Sequence, residues 1–221
     1  LYNAALNGSD EGEFWRAIIQ AARGDLNGAS IELRRSGSIA RPYPRALRFR
    51  LSTIVAEAVV EIGDVRTAET LISTLLADGP SPSQEAKIKF VQGRLAELEG
   101  DFDGAVSLWE EVMDSPDRLA RFRAARSRAE LLLRLDRMTK REATEELEKQ
   151  RFAWRGDNRE FDLLRRLGAL YLEQDKYREA LQTLRQAATH FRDHPDAKVV
   201  TKEMSDTFNA LYLEDKANAL K

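Results

Sequence analysis

The stretch Leu163–Phe191, LLRRLGALYLEQDKYREALQTLRQAATHF, constrains the chain more than any other, because it reads as two amphipathic helices that cannot bury themselves alone. Apolar or small residues fall at Leu164, Leu167, Gly168 and Tyr171, then at Ala180, Leu184 and Ala187. This is the spacing of a helix with one buried stripe, repeated after a short polar turn. Each stripe needs a neighbour, so a chain made of such pairs has to stack them. The pentapeptide ALYLE at Ala169–Glu173 recurs letter for letter at Ala210–Glu214, which fixes the register of a later copy.

Taken in order, residues 1–9 are a polar lead-in with an Asn7-Gly8 turn, followed by a helix over Glu11–Arg23 that carries Phe14, Ile18, Ala21 and Ala22. Gly24-Asp25 turns into a second helix with Leu26, Ala29 and Leu33, which Ser36-Gly37-Ser38 cuts short. Arg41-Pro42-Tyr43-Pro44 is expected to be an extended linker, since each proline disfavours the helical region for its predecessor. A helix over Arg45–Ile62 ends at Gly63-Asp64, and its partner carries Val65, Ala68, Ile72 and Leu75 to Asp78-Gly79-Pro80. Ser81, Pro82 and Gln84 start the next helix, as cap, first helical residue and return half of a capping box. Gly100-Asp101 then turns into a helix with Ala105, Trp109 and Val112. Asp117–Leu135 follows, and Thr139 with Glu142 opens a partner helix after a longer turn, expected to run through Leu147 and Phe152 to Trp154. Gly156 stops it, Asp157 and Glu160 cap the stretch described first, and Lys198–Asp215 is a further helix.

The pattern W-x2-L-G-x2-Y followed by A-x3-F resembles the tetratricopeptide repeat, with Leu164 in the place of Trp and Leu184 in the place of Phe. Copies counted from 10, 49, 86, 122, 161 and 202 lie 39, 37, 36, 39 and 41 residues apart. Those intervals fall between the period of about 34 of that repeat and the roughly 40 to 47 of HEAT and armadillo arrays. The small residue inside each helix and the Gly-Asp turns at 24, 63 and 100 favour the former. The resemblance covers residues 45–191 well and the ends loosely. It implies an all-α, right-handed superhelical solenoid of antiparallel helix pairs, about 11 helices in all. The expected organisation is a degenerate pair and linker over 1–44, four helix pairs over 45–197, and the first helix of a further repeat over 198–221. Gly168 with Ala180, Gly93 with Ala105 and Ala56 with Ala68 should let helix axes approach, while Tyr171, Leu184, Trp109 and Ile72 fill the space between units.

Composition closes off several function classes. The 35 basic and 37 acidic residues leave a net charge of −2, without the basic excess of a general nucleic-acid binder. There is no cysteine, which excludes disulfides, thiolate metal sites and thiol catalysis. The apolar run near Ile54–Val60, broken by Glu57, falls well short of the roughly 20 residues of a membrane span. A start at Leu1 without a signal-peptide pattern suggests a piece of a longer protein, and the Ala, Arg and Leu richness suggests a bacterial one. A soluble protein of the cytoplasm or periplasm is expected.

No constellation for catalysis stands out, and neither a cofactor nor a metal is expected. His190 and His194 share a helix end without a third ligand and read as helix-terminal histidines. Arg155-Gly156-Asp157 reads as a helix stop and a cap.

The resemblance places function in a concave groove lined by the first helices. Positions 2 and 5 of the four best copies are Arg50 and Thr53, Lys87 and Phe90, Arg123 and Arg126, Asp162 and Arg165. Positions further along add Glu57, Glu61, Arg94, Glu130, Leu133 and Leu172. The candidate partner site is therefore Arg50, Lys87, Phe90, Arg94, Arg123, Arg126, Leu133, Arg165 and Leu172, with a basic edge facing an acidic segment of a protein partner. The opposing expectation is that Arg126 with Glu130, and similar neighbours, neutralise one another along the helix. Two other functions fit the same sequence. One is a structural segment for self-association or assembly, meeting another chain through Phe208, Leu211 and Tyr212 of the last helix; the other is a regulatory domain appended to an enzyme.

Overall fold

A computed structural model describes residues 8–23 and 25–213, the last two by their backbone only. Residues 1–7 of the lead-in, Gly24 of the first turn, the side chain of Tyr212 and residues 214–221 of the last predicted helix lie outside the described residues. The described residues form eleven α-helices in pairs and no strand: α1 Asp10–Ala22, α2 Leu26–Ser36, α3 Arg45–Glu61, α4 Val65–Ala77, α5 Pro82–Glu99, α6 Phe102–Met113, α7 Arg118–Arg134, α8 Lys140–Gln150, α9 Asn158–Leu172, α10 Tyr177–His190 and α11 Ala197–Leu213. The chain divides into two compact units, Leu1–Arg128 and Ala129–Lys221, with the division inside α7.

In unit 1, α1 packs on α2, α2 on α3, α3 on α4, and α5 on both α3 and α6. First and second helices of a pair are buried differently. Helix α3 buries Phe49, Leu51, Val55, Ala56, Ala58, Val59 and Val60, which lie round most of its circumference, whereas α4 buries only the stripe Ala68, Ile72 and Leu75. A helix buried all round is an inner helix and one with a single stripe an outer one. Trp109 of α6 is fully buried and lies against Gly93 of α5, its own pair, where a Cβ would come within 2.4 Å of the indole Nε1. The large side chain of the second helix thus seats over the small residue of the first.

Unit 2 repeats the arrangement with α9 and α10. Leu184 seats over Gly168, where a Cβ would come within 2.5 Å of the leucine Cδ2. Phe161, Leu164, Leu184, Ala187 and Val200 form the core cluster that joins α9, α10 and α11.

Local chemistry explains the boundaries. Gly63 and Gly100 end α3 and α5 with φ of +74° and +85°, a region that costs a residue with a Cβ. Asp136 and Asp175 take the same left-handed conformation in the turns of unit 2, at φ of 56° and 57°. The capping boxes are formed: Gln84 accepts the Ser81 N–H at 2.9 Å, and Glu142 the Thr139 N–H at 2.8 Å.

Two local expectations need correction, and a third is met in detail. Residues 41–43 turn instead of extending: Arg41, ahead of Pro42, is helical at φ −57° and ψ −45° because its N–H prolongs the short 3-10 helix Gly37–Ala40 by donating to Ser38. Helix α8 stops at Gln150 instead of reaching Trp154, and Phe152 lies 68% exposed beyond it. Glu160 reaches back past Asp157 to the Gly156 N–H at 2.7 Å, while Asp157 caps α9 through the Arg159 N–H at 2.9 Å.

Candidate functional site

In unit 1 the inner helices α3, α5 and α7 bring the expected basic and acidic edges together. Arg123 of α7 reaches over α5, its guanidinium carbon 4.1 Å from the centre of the Phe90 ring, and closes on Glu57 of α3 with two bonds of 2.8 Å. Arg94 of α5 meets Glu61 of α3 at 3.3 Å and Glu97 at 3.7 Å. These groups enclose a cleft of about 50 Å³ whose other walls include Leu26 and Val60. Phe90 is 4% exposed and stacks on Trp109, so its ring belongs to the interior and offers the cleft little contact area. Thr53 is equally buried and donates to the Phe49 carbonyl. Arg50 is exposed, and among the described residues it forms no ion pair. Arg126 is half-buried.

The neutralisation expected along each helix occurs mostly between helices. A recurrent device accounts for much of it: a cation on an inner helix binds an aspartate in the loop before the next one. Arg48 pairs with Asp78 at 3.4 Å, Lys87 with Asp117 at 3.3 Å, and Arg165 with Asp196 at 3.0 Å. Asp117 also accepts from the Ala120 N–H at 2.8 Å and the Ser83 hydroxyl at 2.8 Å. Burial would raise its carboxyl, but these two donors and Lys87 outweigh it and hold the group below the usual carboxylate range. Nothing in the spacing of single helices announces Asp78, Asp117 or Asp196, because their partners are some 30 residues away.

In unit 2, Leu133 lies in an open cleft of about 570 Å³ with Lys140, Arg166 and Glu173 around it. Arg166 binds Glu130 at 2.8 Å and Glu173 at 3.6 Å, and Lys140 binds Glu173 at 3.0 Å. Sequence reasoning named Leu133 but passed over Arg166, whose position in the repeat is not a groove position. Arg165 is held by Asp196 and by Glu203 at 2.7 Å, and the Glu203 hydrogen bond, set against partial burial, raises its pKa. Leu172 packs on the core cluster of α9, α10 and α11. Tyr171 donates to Glu148 at 2.8 Å, and burial together with that carboxylate pushes the phenol up to about 12.

The histidines are engaged separately. His194 stacks on Phe161 at 3.7 Å between ring centres and accepts the Asp196 N–H at 3.1 Å, whereas His190 places Nδ1 2.9 Å from the Gln186 carbonyl oxygen. Among the described residues no group of three or more His, Asp or Glu could hold a metal ion, and no helix is long and apolar enough to cross a membrane.

The stack of paired helices also occurs in solved structures. A thermophilic TPR protein of Thermus thermophilus superposes with a TM-score of 0.58 at 16% identity, over 90% of this chain and 99% of that one. The fold is that of the tetratricopeptide repeat. BtubC (BKLC) from P. vanneervenii shares it with a TM-score of 0.59 at 18% identity, over 94% of this chain and 87% of that one. The pilF protein of Pseudomonas aeruginosa does so with a TM-score of 0.53 at 15% identity, over 98% and 96%. No protein-family model matches the chain, and no curated protein sequence does.

Proposed function

We propose that the chain is a protein-binding module and that a segment of a partner protein docks in the open cleft of unit 2 at the turn between α7 and α8, anchored beside Leu133. A stack of helix pairs leaves its inner helices facing an open side instead of a closed core, which suits the fold to presenting a surface. The observation that carries the reading is the cleft of about 570 Å³ where Leu133 offers apolar contact inside a rim of both charges, Lys140 and Arg166 against Glu173. Interface energy concentrates at such an apolar contact surrounded by polar groups.

The charge pairing refines the partner. Arg94, Arg123 and Arg165 already hold carboxylates, so a purely acidic segment would have to displace Glu57, Glu61 or Glu203 to use them. On the rim of unit 2 Lys140 and Arg166 are likewise paired with Glu173, so a segment with one apolar anchor flanked by both signs of charge adds to those pairs instead of displacing one partner.

Photo-crosslinking side chains installed at Leu133 and Lys140, and at exposed Glu69 of the outer helix α4 as a control, test the reading in the source cells. A discrete adduct at the first two positions and none at Glu69 is expected, with Arg166→Glu removing it while the helical circular dichroism stays unchanged. Equal labelling at all three positions would sink the proposal.

A further inference from the structure

Unit 2 has a second open surface, on the side of α10 and α11. A groove of about 700 Å³ runs between them, with Leu181, Met204 and Phe208 as its apolar lining and Arg178 and Arg185 along the α10 rim. None of the residues lining it is acidic. Of the carboxylates on α11, Glu203 is held by Arg165 and Asp206 by Lys202 at 3.2 Å.

The preceding pair shows what shape such a groove accepts. Helix α10 packs on α9 with Leu184 over Gly168, and Gln186 of α10 bonds to Arg151 beyond the end of α8. The repeated ALYLE sets α11 in register with α9, so Met204 and Phe208 hold the places of Leu163 and Leu167. Those two leucines are 0% exposed, while Phe208 is 50% exposed. The surface that α9 covers with a helix is open on α11.

Three features decide the occupant. Residue 209 is Asn where the other copies carry Ala17, Ala56, Gly93, Ala129 and Gly168, so a side chain like Leu184 could not seat there as it does over glycine. A second helix of the repeat's own kind therefore fits poorly. A second copy of this chain meeting the groove face to face would set the α10 rim against either itself or the α11 edge, and neither edge of the lining offers Arg178 and Arg185 a carboxylate. A helix with an apolar stripe and carboxylates on one edge satisfies both the lining and the rim.

We propose that the α10–α11 groove is a docking site for an amphipathic helix of a partner protein that carries Glu or Asp along the edge facing α10. The site is separate from the cleft beside Leu133 and stands if that reading falls.

The probe is a fluorescein-labelled helical peptide of about 18 residues, long enough to hold a helix, with leucines at i, i+3, i+4 and i+7 and Glu on its flanks, beside a twin with Lys on its flanks. Fluorescence anisotropy on the whole chain should show saturable binding of the Glu peptide and binding at least about tenfold weaker for the Lys twin. Arg185→Glu, at an exposed position, should invert that order with the circular dichroism unchanged, and Phe208→Ala should weaken both peptides by about tenfold. The proposal is overturned by a Glu peptide that does not saturate, by equal affinity for the twins, or by affinities that neither substitution moves. Sedimentation showing a dimer that Phe208→Ala dissolves would assign the groove to a second copy instead.

Discussion

Arg123 holds Glu57 from 66 residues away, with both guanidinium nitrogens at 2.8 Å and the Phe90 ring beneath the charge. The side chains are only 22% and 14% exposed, so removing one partner leaves the other poorly solvated. Glu57→Gln and Arg123→Met should each lower the unfolding free energy by about 1–3 kcal/mol, and the double variant should lose less than their sum. Urea titrations of the four proteins check this. Additive losses would mean that the two groups act independently.

The contact between Gly93 and Trp109 offers a test of the helix-pair geometry. Gly93→Ala would set a Cβ 2.4 Å from the indole Nε1 and force α5 and α6 apart, at a cost of about 1–3 kcal/mol. Trp109→Ile removes the indole that meets the new methyl, along with its bond to the Phe90 carbonyl at 3.3 Å. The combination should again cost less than the sum, as read from thermal melts. A neutral Gly93→Ala would show that the helices have room to spare.

Tyr171 governs the alkaline limb. Burial and Glu148 raise its pKa from 10.0 to about 12, so the native state favours the neutral phenol. The stability this contributes is fully present below the unfolded value near 10 and is lost as pH rises through about 12. Tyr171→Phe should flatten the fall of stability over that window and remove the last-titrating tyrosine from the absorbance at 295 nm. An unchanged alkaline limb would show that Tyr171 ionises as freely in the native chain as in the unfolded one.

Local signals in the sequence located the helices almost to the residue. Gly63, Gly100, and Thr139 with Glu142 each act within one turn of helix, and each marks a real boundary. Two errors arose where neighbours override a local preference: Arg41 is helical ahead of proline, and α8 ends before Phe152. The candidate site was less legible. Groove positions carried over from the repeat named Arg123, Leu133 and Arg165 but gave no sign that Glu57, Asp196 and Glu203 would occupy the cations. Pairing between helices depends on how successive pairs stack, and that geometry is absent from the periodicity of any one helix.

The inter-helix ion pairs of unit 1 also have a mechanical side. Arg123 to Glu57, Arg94 to Glu61 and Arg34 to Asp64 all run across the helices, joining α7 to α3, α5 to α3, and α2 to the cap of α4. A pull that separates neighbouring helices loads these bonds in tension before it exposes the apolar contacts beneath. Arg34 is 59% exposed, so salt weakens that tie, while the shielded Arg123 tie keeps most of its strength. Raising the salt concentration should therefore loosen the tie between α2 and the cap of α4 before the tie between α7 and α3.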